Sequence, residues 1–245
     1  MYNTQTNTAH WSSIDSLADL SLVSGNISVL QLRASFLPSS IIEHAEEWLS
    51  TQEYQILAKR KGQQRINFLA SRYCLKQLIS RYLICEVINI TIAFDEHSQQ
   101  IKAYNKGEKL PFNLSISHKN DQLLIAISLT PVTIAVDLEC LVKQRDFLKI
   151  AQQAFSTYEY NALVQSSEIR FSFYQLWTLK ECWVKVTDQS LAKVLSVNIK
   201  EEYRHKMYKF CTFVKNNYIG SLLYPQDFDF KKIHFINVEN LLSTS

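Results

Sequence analysis

Thr133-Ile134-Ala135-Val136-Asp137-Leu138-Glu139 and Trp177-Thr178-Leu179-Lys180-Glu181-Cys182-Trp183-Val184-Lys185 are the stretches on which the reading of this chain turns. The first has the apolar run of a buried strand, and period-2 alternation sets Asp137 and Glu139 on one face, about 6.5–7 Å apart. The second is helical, and Glu181 and Lys185, four residues apart, share a face with Trp177. Packed together, strand and helix would bring three carboxylates and one amine to a single point, a site for a hard divalent cation and a phosphate. Each half also has an ordinary reading. The two acids could be a hydrated strand end, and Glu181–Lys185 a solvated helix pair worth about 0.3–0.5 kcal/mol. Against the second stands the apolar surround of Phe171, Phe173, Tyr174, Leu176, Trp183 and Val184.

Outward from these segments, Asn113-Leu114-Ser115-Ile116-Ser117-His118-Lys119 alternates Asn113, Ser115 and Ser117 on one face and ends in His118, which could meet phosphate oxygens or simply cap a turn. Lys59-Arg60-Lys61, followed by Arg65 and Arg72, is a basic cluster leading into a helix; it reads either as a grip on a remote phosphate or as a solvated face. With only 4 glycines in 245 residues, no GxGxxG or Walker-type loop can be built, so side chains and a metal must hold any phosphate. The net charge of +3 comes with no basic stripe, which argues against a nucleic-acid partner. Five cysteines without CxxC spacing read as reduced thiols of a cytoplasmic protein. No signal-peptide pattern opens the chain, and no apolar stretch approaches the roughly 20 residues that span a bilayer.

The elements expected along the chain are a loose extension over residues 1–25, a strand over 26–36, helices starting at Ser39/Ser40 and Thr51, and a long helix over 65–83. Strands follow over 87–94, 123–129 and 132–138, the last two adjacent despite Pro131. Helices are expected over 146–154, 157–164 and 168–186, and strands over 194–199, 207–214, 218–223 and 233–238. The similar order in each half suggests a duplicated lobe. The expectation is an α+β protein of two similar lobes (a pseudo-dimer), each a small, mainly antiparallel sheet packed with helices. The N-terminal lobe would span 26–130 and the C-terminal lobe 131–245.

Taken in order, the segments resemble the 4′-phosphopantetheinyl transferase superfamily, in its two-lobed surfactin-synthetase-activator type. Phe68-Leu69-Ala70-Ser71-Arg72 is similar to the family's F-L-A-G-R segment, and Asn113–His118 to its N-x-S-H stretch. Ile134–Glu139 matches its D-x-E strand, Phe155-Ser156 with Glu159 a further piece, and Trp177–Lys185 fits W-[ST]-x-K-E-x-x-x-K throughout. Ala135 and Ser71 replace glycines, Lys119 stands where a small residue is common, and Val186–Leu191 lacks a usual glycine.

The resemblance implies transfer of 4′-phosphopantetheine from coenzyme A to a serine of an apo acyl or peptidyl carrier protein, with release of 3′,5′-ADP, at an active site between the lobes. It further implies Mg²⁺, or alternatively Mn²⁺, held by Asp137, Glu139 and Glu181, with Glu181 and Lys185 as catalytic groups. CoA would be contacted by Lys185, Ser117, His118 and Arg72, with Arg65, Lys59 and Lys61 toward its 3′-phosphate. A monomer is expected, acting without nucleic acid or membrane. Two alternatives are a Mg²⁺-dependent CoA pyrophosphate hydrolase and a non-catalytic module that binds CoA or carrier protein.

Overall fold

The computed structural model describes residues 9–95, 100–142, 144–187 and 189–241. In chain order the strands and helices are β1 (Trp11–Ile14), β2 (Ile27–Arg33), α1 (Ser39–Glu43), α2 (Ala45–Trp48), α3 (Thr51–Ala58), α4 (Gly62–Leu83), β3 (Ile90–Asp95), β4 (Gln100–Asn105), β5 (Glu108–Lys109), β6 (Asn113–Lys119) and β7 (Gln122–Ser128). There follow β8 (Ala135–Cys140), α5 (Phe147–Ala154), α6 (Thr157–Val164), α7 (Ile169–Val186), α8 (Leu191–Ser196), α9 (Ile199–His205), β9 (Tyr208–Lys215), β10 (Tyr218–Pro225) and β11 (Ile233–Val238). The chain is therefore α+β, as expected. Among the described residues no helix is long and apolar enough to cross a membrane. All five cysteines are free, and Cys74, Cys140, Cys182 and Cys211 are buried.

The described residues form two compact units, one built on residues 10–132 with 229–241 and the other on residues 133–228. In the first, the sheet runs β1-β11-β2-β7-β6-β4-β3, with β5 beside β4. Its β1–β11 and β11–β2 pairs are parallel and the others antiparallel. α4 packs on β3 and β7 through a core that includes Leu69, Leu75, Ile79, Ile90 and Ile125. In the second unit β8-β10-β9 is an antiparallel three-stranded sheet, and α7 packs on β8 and β10 around Leu179, Trp183, Ile219 and Leu223.

Several expectations change. Residues 11–14 of the supposed extension form a strand, and Leu17 is only 1% exposed. A four-residue strand is too short for periodicity to reveal, and its partner lies more than two hundred residues on. Ile233–Val238 is a strand but joins the sheet of the first unit, parallel to β2, rather than completing a C-terminal lobe. β7 and β8, adjacent in sequence, lie in different sheets. Val194–Ile199, read as a strand from its branched residues, is instead the end of α8 and the start of α9.

The two units share a construction. Ser50-Thr51-Gln52-Glu53-Tyr54 and Ser156-Thr157-Tyr158-Glu159-Tyr160 are the same S-T-x-E-Y pattern, and each opens a helix with a capping box. The capping glutamate is buried in both and meets a buried lysine from the long helix. Lys76 Nζ lies 2.9 Å from Glu53 Oε2, and Lys180 Nζ lies 2.9 Å from Glu159 Oε2. The other carboxylate oxygen accepts a backbone N–H at 3.0 Å, from Ile92 in one case and Ile199 in the other. Burial lowers the pKa of both lysines and the glutamates oppose that shift. In both units the first long strand pairs antiparallel with a later one, β2 with β7 and β8 with β10. This is the duplicated plan suggested by the element order, although the sheets differ in size.

Candidate functional site

In the second unit, β8 is buried at every position except Glu139, which is half-buried. Asp137 is 7% exposed, and a carboxylate that deep needs a partner. Lys185 supplies it: Nζ donates to Asp137 Oδ1 at 3.0 Å and to the Val136 carbonyl at 2.7 Å. Lys185 reaches β8 because it sits on the sheet-facing stripe of α7, with Thr178 and Cys182. Thr178 Oγ1 lies 2.7 Å from Ser221 Oγ on β10, and Cys182 Sγ donates to the Ala135 and Ser221 carbonyls. Desolvation opposes the ammonium charge of Lys185, but Asp137 above all, then Cys182 and lastly Glu181 favour it and hold its pKa above the ordinary lysine value. Lys185 is thus a fixed cation flanked by two acids.

Asp137 and Glu139 share a face of β8, and Glu181 is half-buried on α7. Among the described residues no three or more His, Cys, Asp or Glu side chains converge as a ready metal group. The three expected carboxylates therefore do not form a closed cage. Their chemistry still fits magnesium, an all-oxygen ion that commonly takes one or two carboxylates and completes its shell with water and substrate phosphates.

Lys180, to which the motif alone assigns no role, proves structural. Fully buried, it bonds Glu159 and donates to the carbonyls of Val194, Leu195 and Val197 at 3.1, 2.9 and 2.6 Å. These carbonyls lie at the end of α8, where helix geometry leaves acceptors free. One lysine so joins α6, α7 and α8 and explains why 194–199 is not a strand.

The first unit holds a second constellation. A cavity of about 320 Å³ is lined by Arg60, Phe68, Arg72 and His118, with Asn67 and Ile116 beside them. Arg60 and Arg72 lie over the Phe68 ring, at 5.1 and 4.4 Å from its centroid. The Nε atoms of both guanidinium groups are buried and, among the described residues, have no hydrogen-bond partner. Burial, countered by Glu53 and reinforced by Arg60, lowers the pKa of Arg72 to about 10, so it remains charged at neutral pH. Two half-buried guanidinium groups whose Nε donors face away from solvent are chemistry suited to an anion.

Of the residues expected to bind CoA, Arg72 and His118 come together here. Ser117 does not join them: alternation turns it to the opposite face of β6 from His118, where it is buried. Lys59 and Lys61 are exposed, and with Arg65 they lie off the cavity lining. Arg60, between the two lysines, is the member of the cluster that lines it. No spacing rule could select Arg60, because it precedes α4 and is oriented by the loop before Gly62. A larger cavity of about 550 Å³ in the second unit, lined by Gln175, Asn198 and Lys200 among others, includes neither Asp137 nor Lys185.

Comparison with known proteins points to the segment that holds Asp137 and Lys185. The 4'-phosphopantetheinyl transferase superfamily model matches residues 133–236. The chain is 29% identical over 138 residues to 4'-phosphopantetheinyl transferase HetI of a Nostoc species, covering 55% of this chain and 57% of that protein. It is 29% identical over 166 residues to 4'-phosphopantetheinyl transferase gsp of Aneurinibacillus migulanus, at 63% and 64% coverage. It is 30% identical over 149 residues to 4'-phosphopantetheinyl transferase psf-1 of Bacillus pumilus, at 56% and 60% coverage. The chain thus spans about three-fifths of the length of the curated relatives it matches. Over residues 133–236, the stretch that carries Asp137, Glu139, Glu181 and Lys185, this chain matches the model of the 4'-phosphopantetheinyl transferase superfamily, the family that the ordered motifs resemble.

Proposed function

We propose that this protein transfers the 4′-phosphopantetheine group of coenzyme A to a serine of an apo carrier protein, with Mg²⁺. The observation that carries the reading is the buried Asp137–Lys185 pair joining β8 to α7, flanked by Glu139 and Glu181, inside the segment that matches the transferase superfamily.

In the reaction, the carrier serine Oγ forms a bond to the β-phosphorus of CoA. The bond from that phosphorus to the bridging oxygen breaks, and 3′,5′-ADP leaves with the electron pair. Glu181, directly or through a water, accepts the serine proton. Lys185, fixed by Asp137 and Val136, neutralises charge growing on a phosphate oxygen, and fixed donors of this kind are the main resource of phosphoryl-type transfer. Asp137, Glu139 and Glu181 would hold Mg²⁺, which when bound neutralises the pyrophosphate. Arg60, Arg72 and His118 would take a phosphate at the remote end of CoA. The protein is expected to act as a monomer, and size-exclusion with scattering tests that.

The deciding experiment incubates apo carrier protein with CoA, Mg²⁺ and this protein and weighs the carrier. A gain of one phosphopantetheine group supports transfer. Cleavage of CoA with an unmodified carrier indicates a hydrolase, and no reaction indicates a binding module; either result overturns the reading.

A further inference from the structure

His118 stands two residues before the turn that joins β6 to β7. The register pairs His118 with Leu123 and Lys119 with Gln122, so Asn120 and Asp121 alone make the turn, with Asn120 at φ 54°. In a two-residue hairpin turn the register is fixed by the turn and its flanking ladder. Here groups from β2, the segment after it and α4 grip it, Gln63 Nε2 among them at 3.5 Å from Asp121 Oδ1.

Asp121 is held at the end of β2. Its Oδ1 accepts from the Ser35 N–H at 2.8 Å, its Oδ2 from Ser35 Oγ at 2.7 Å and from Arg33 Nε at 2.9 Å, and its carbonyl from the Ala34 N–H at 2.7 Å. Asn120 is held by α4: Asn67 Nδ2 donates to its carbonyl at 3.0 Å, and Asn67 Oδ1 accepts from Gln63 Nε2 at 2.9 Å. Asn67 is 5% exposed and lines the same cavity as Arg72 and His118. It immediately precedes Phe68, the ring on which Arg60 and Arg72 rest.

Stability alone does not account for this arrangement. The Arg33 side chain is 55% exposed, and exposed ion pairs of that kind contribute little. The bonds instead fix a distance: α4 carries Arg72, the hairpin carries His118, and the turn is tied to α4 and to β2 at once. We propose that Asn67 and Asp121 are positioning residues that latch the Asn120-Asp121 turn and so set the gap between Arg72 and His118 to the size of a phosphate. The latch rests on the reading of this cavity as the site for a phosphate of CoA.

The test measures calorimetric affinity for 3′,5′-ADP and for 5′-AMP, which lacks the 3′-phosphate, using the full chain. Wild type should prefer 3′,5′-ADP. Arg72→Ala should abolish that preference; if the preference survives, the cavity assignment falls, and the latch with it. Given loss in Arg72→Ala, Asn67→Ser and Asp121→Asn should each weaken 3′,5′-ADP binding by about tenfold, the loss expected when one hydrogen bond to a charged group is misaligned. Affinity for 5′-AMP should be unchanged. Equal weakening of both nucleotides, or of neither, in the two variants overturns the latch and leaves the cavity assignment standing. Asp121 lies at a turn, so Asp121→Asn preserves the test if Asn67→Ser does not fold.

Discussion

The two units carry the same Ser–Glu–Lys staple, yet only one of them carries acids beside it. Gln31 and Asp137 each stand nineteen residues before the capping serine, and Arg33 and Glu139 seventeen before it. One residue after the buried lysine come Gln77 and Glu181, and five after it Arg81 and Lys185. Where the second unit has Asp137, Glu139 and Glu181, the first has an amide or a cation. Those positions in the first unit are put to structural use. Gln31 donates to Gln122 across to β7, Arg33 holds Asp121, and Arg81 donates to the Leu17 and Leu20 carbonyls. The scaffold does not dictate the chemistry: the same staple supports a packed sheet in one copy and a charged site in the other.

Four measurements press on this contrast. Removing the acids that set the second unit apart should be most damaging. Glu181→Gln and Asp137→Ala should each lower transfer at least about 100-fold while circular dichroism stays native, the loss expected for a positioned proton acceptor or phosphate-site acid. Turnover retained in Asp137→Ala would remove the metal-site assignment.

The staples should behave alike. Lys76→Met and Lys180→Met each leave a buried glutamate without its cation and should cost about 3–5 kcal/mol in urea unfolding. The double variant Glu159→Leu/Lys180→Met should recover a large part of that loss. A staple whose lysine can be removed at no cost would show that the two units are not built alike.

A smaller effect is expected at the first unit's cavity. Arg72→Lys keeps the charge but loses the planar fork, and should raise the KM for CoA about tenfold with kcat retained. An unchanged KM would separate the cavity from CoA.

The smallest effect concerns Asp121. Burial pushes its carboxyl pKa up, but hydrogen bonds from Ser35 and Arg33 outweigh this and hold it below the usual 3.8. A carboxyl with a depressed folded value contributes stability above the ordinary pKa and loses it as pH falls through the folded one. Wild-type urea midpoints should therefore fall more steeply than those of Asp121→Asn from about pH 4 downward. Parallel pH profiles would refute the assignment.

Much of the second unit is legible in the order of its residues. β8, α6 and α7 lie where the apolar run and the helical period put them, because burial writes directly into the sequence. Asp137 and Lys185 can be named as a pair only because a strand and a helix are both expected there. Other features are hidden because their causes are remote. β1 and β11 owe their place to pairing between the two ends of the chain. α8 owes its helical end to Lys180 from another helix.

By itself the sequence determined which residues could do chemistry: the acids of β8, the Glu181–Lys185 turn, Arg72 and His118. It also carried the duplicated S-T-x-E-Y caps, since local periodicity and capping act over one or two turns of chain. Only the tertiary structure decided that Asp137 is neutralised by Lys185, that Lys180 is a staple, and that Arg60 rather than Lys59 or Lys61 joins Arg72. Those outcomes depend on which groups lose water together, and desolvation is a property of the packed molecule, not of sequence spacing.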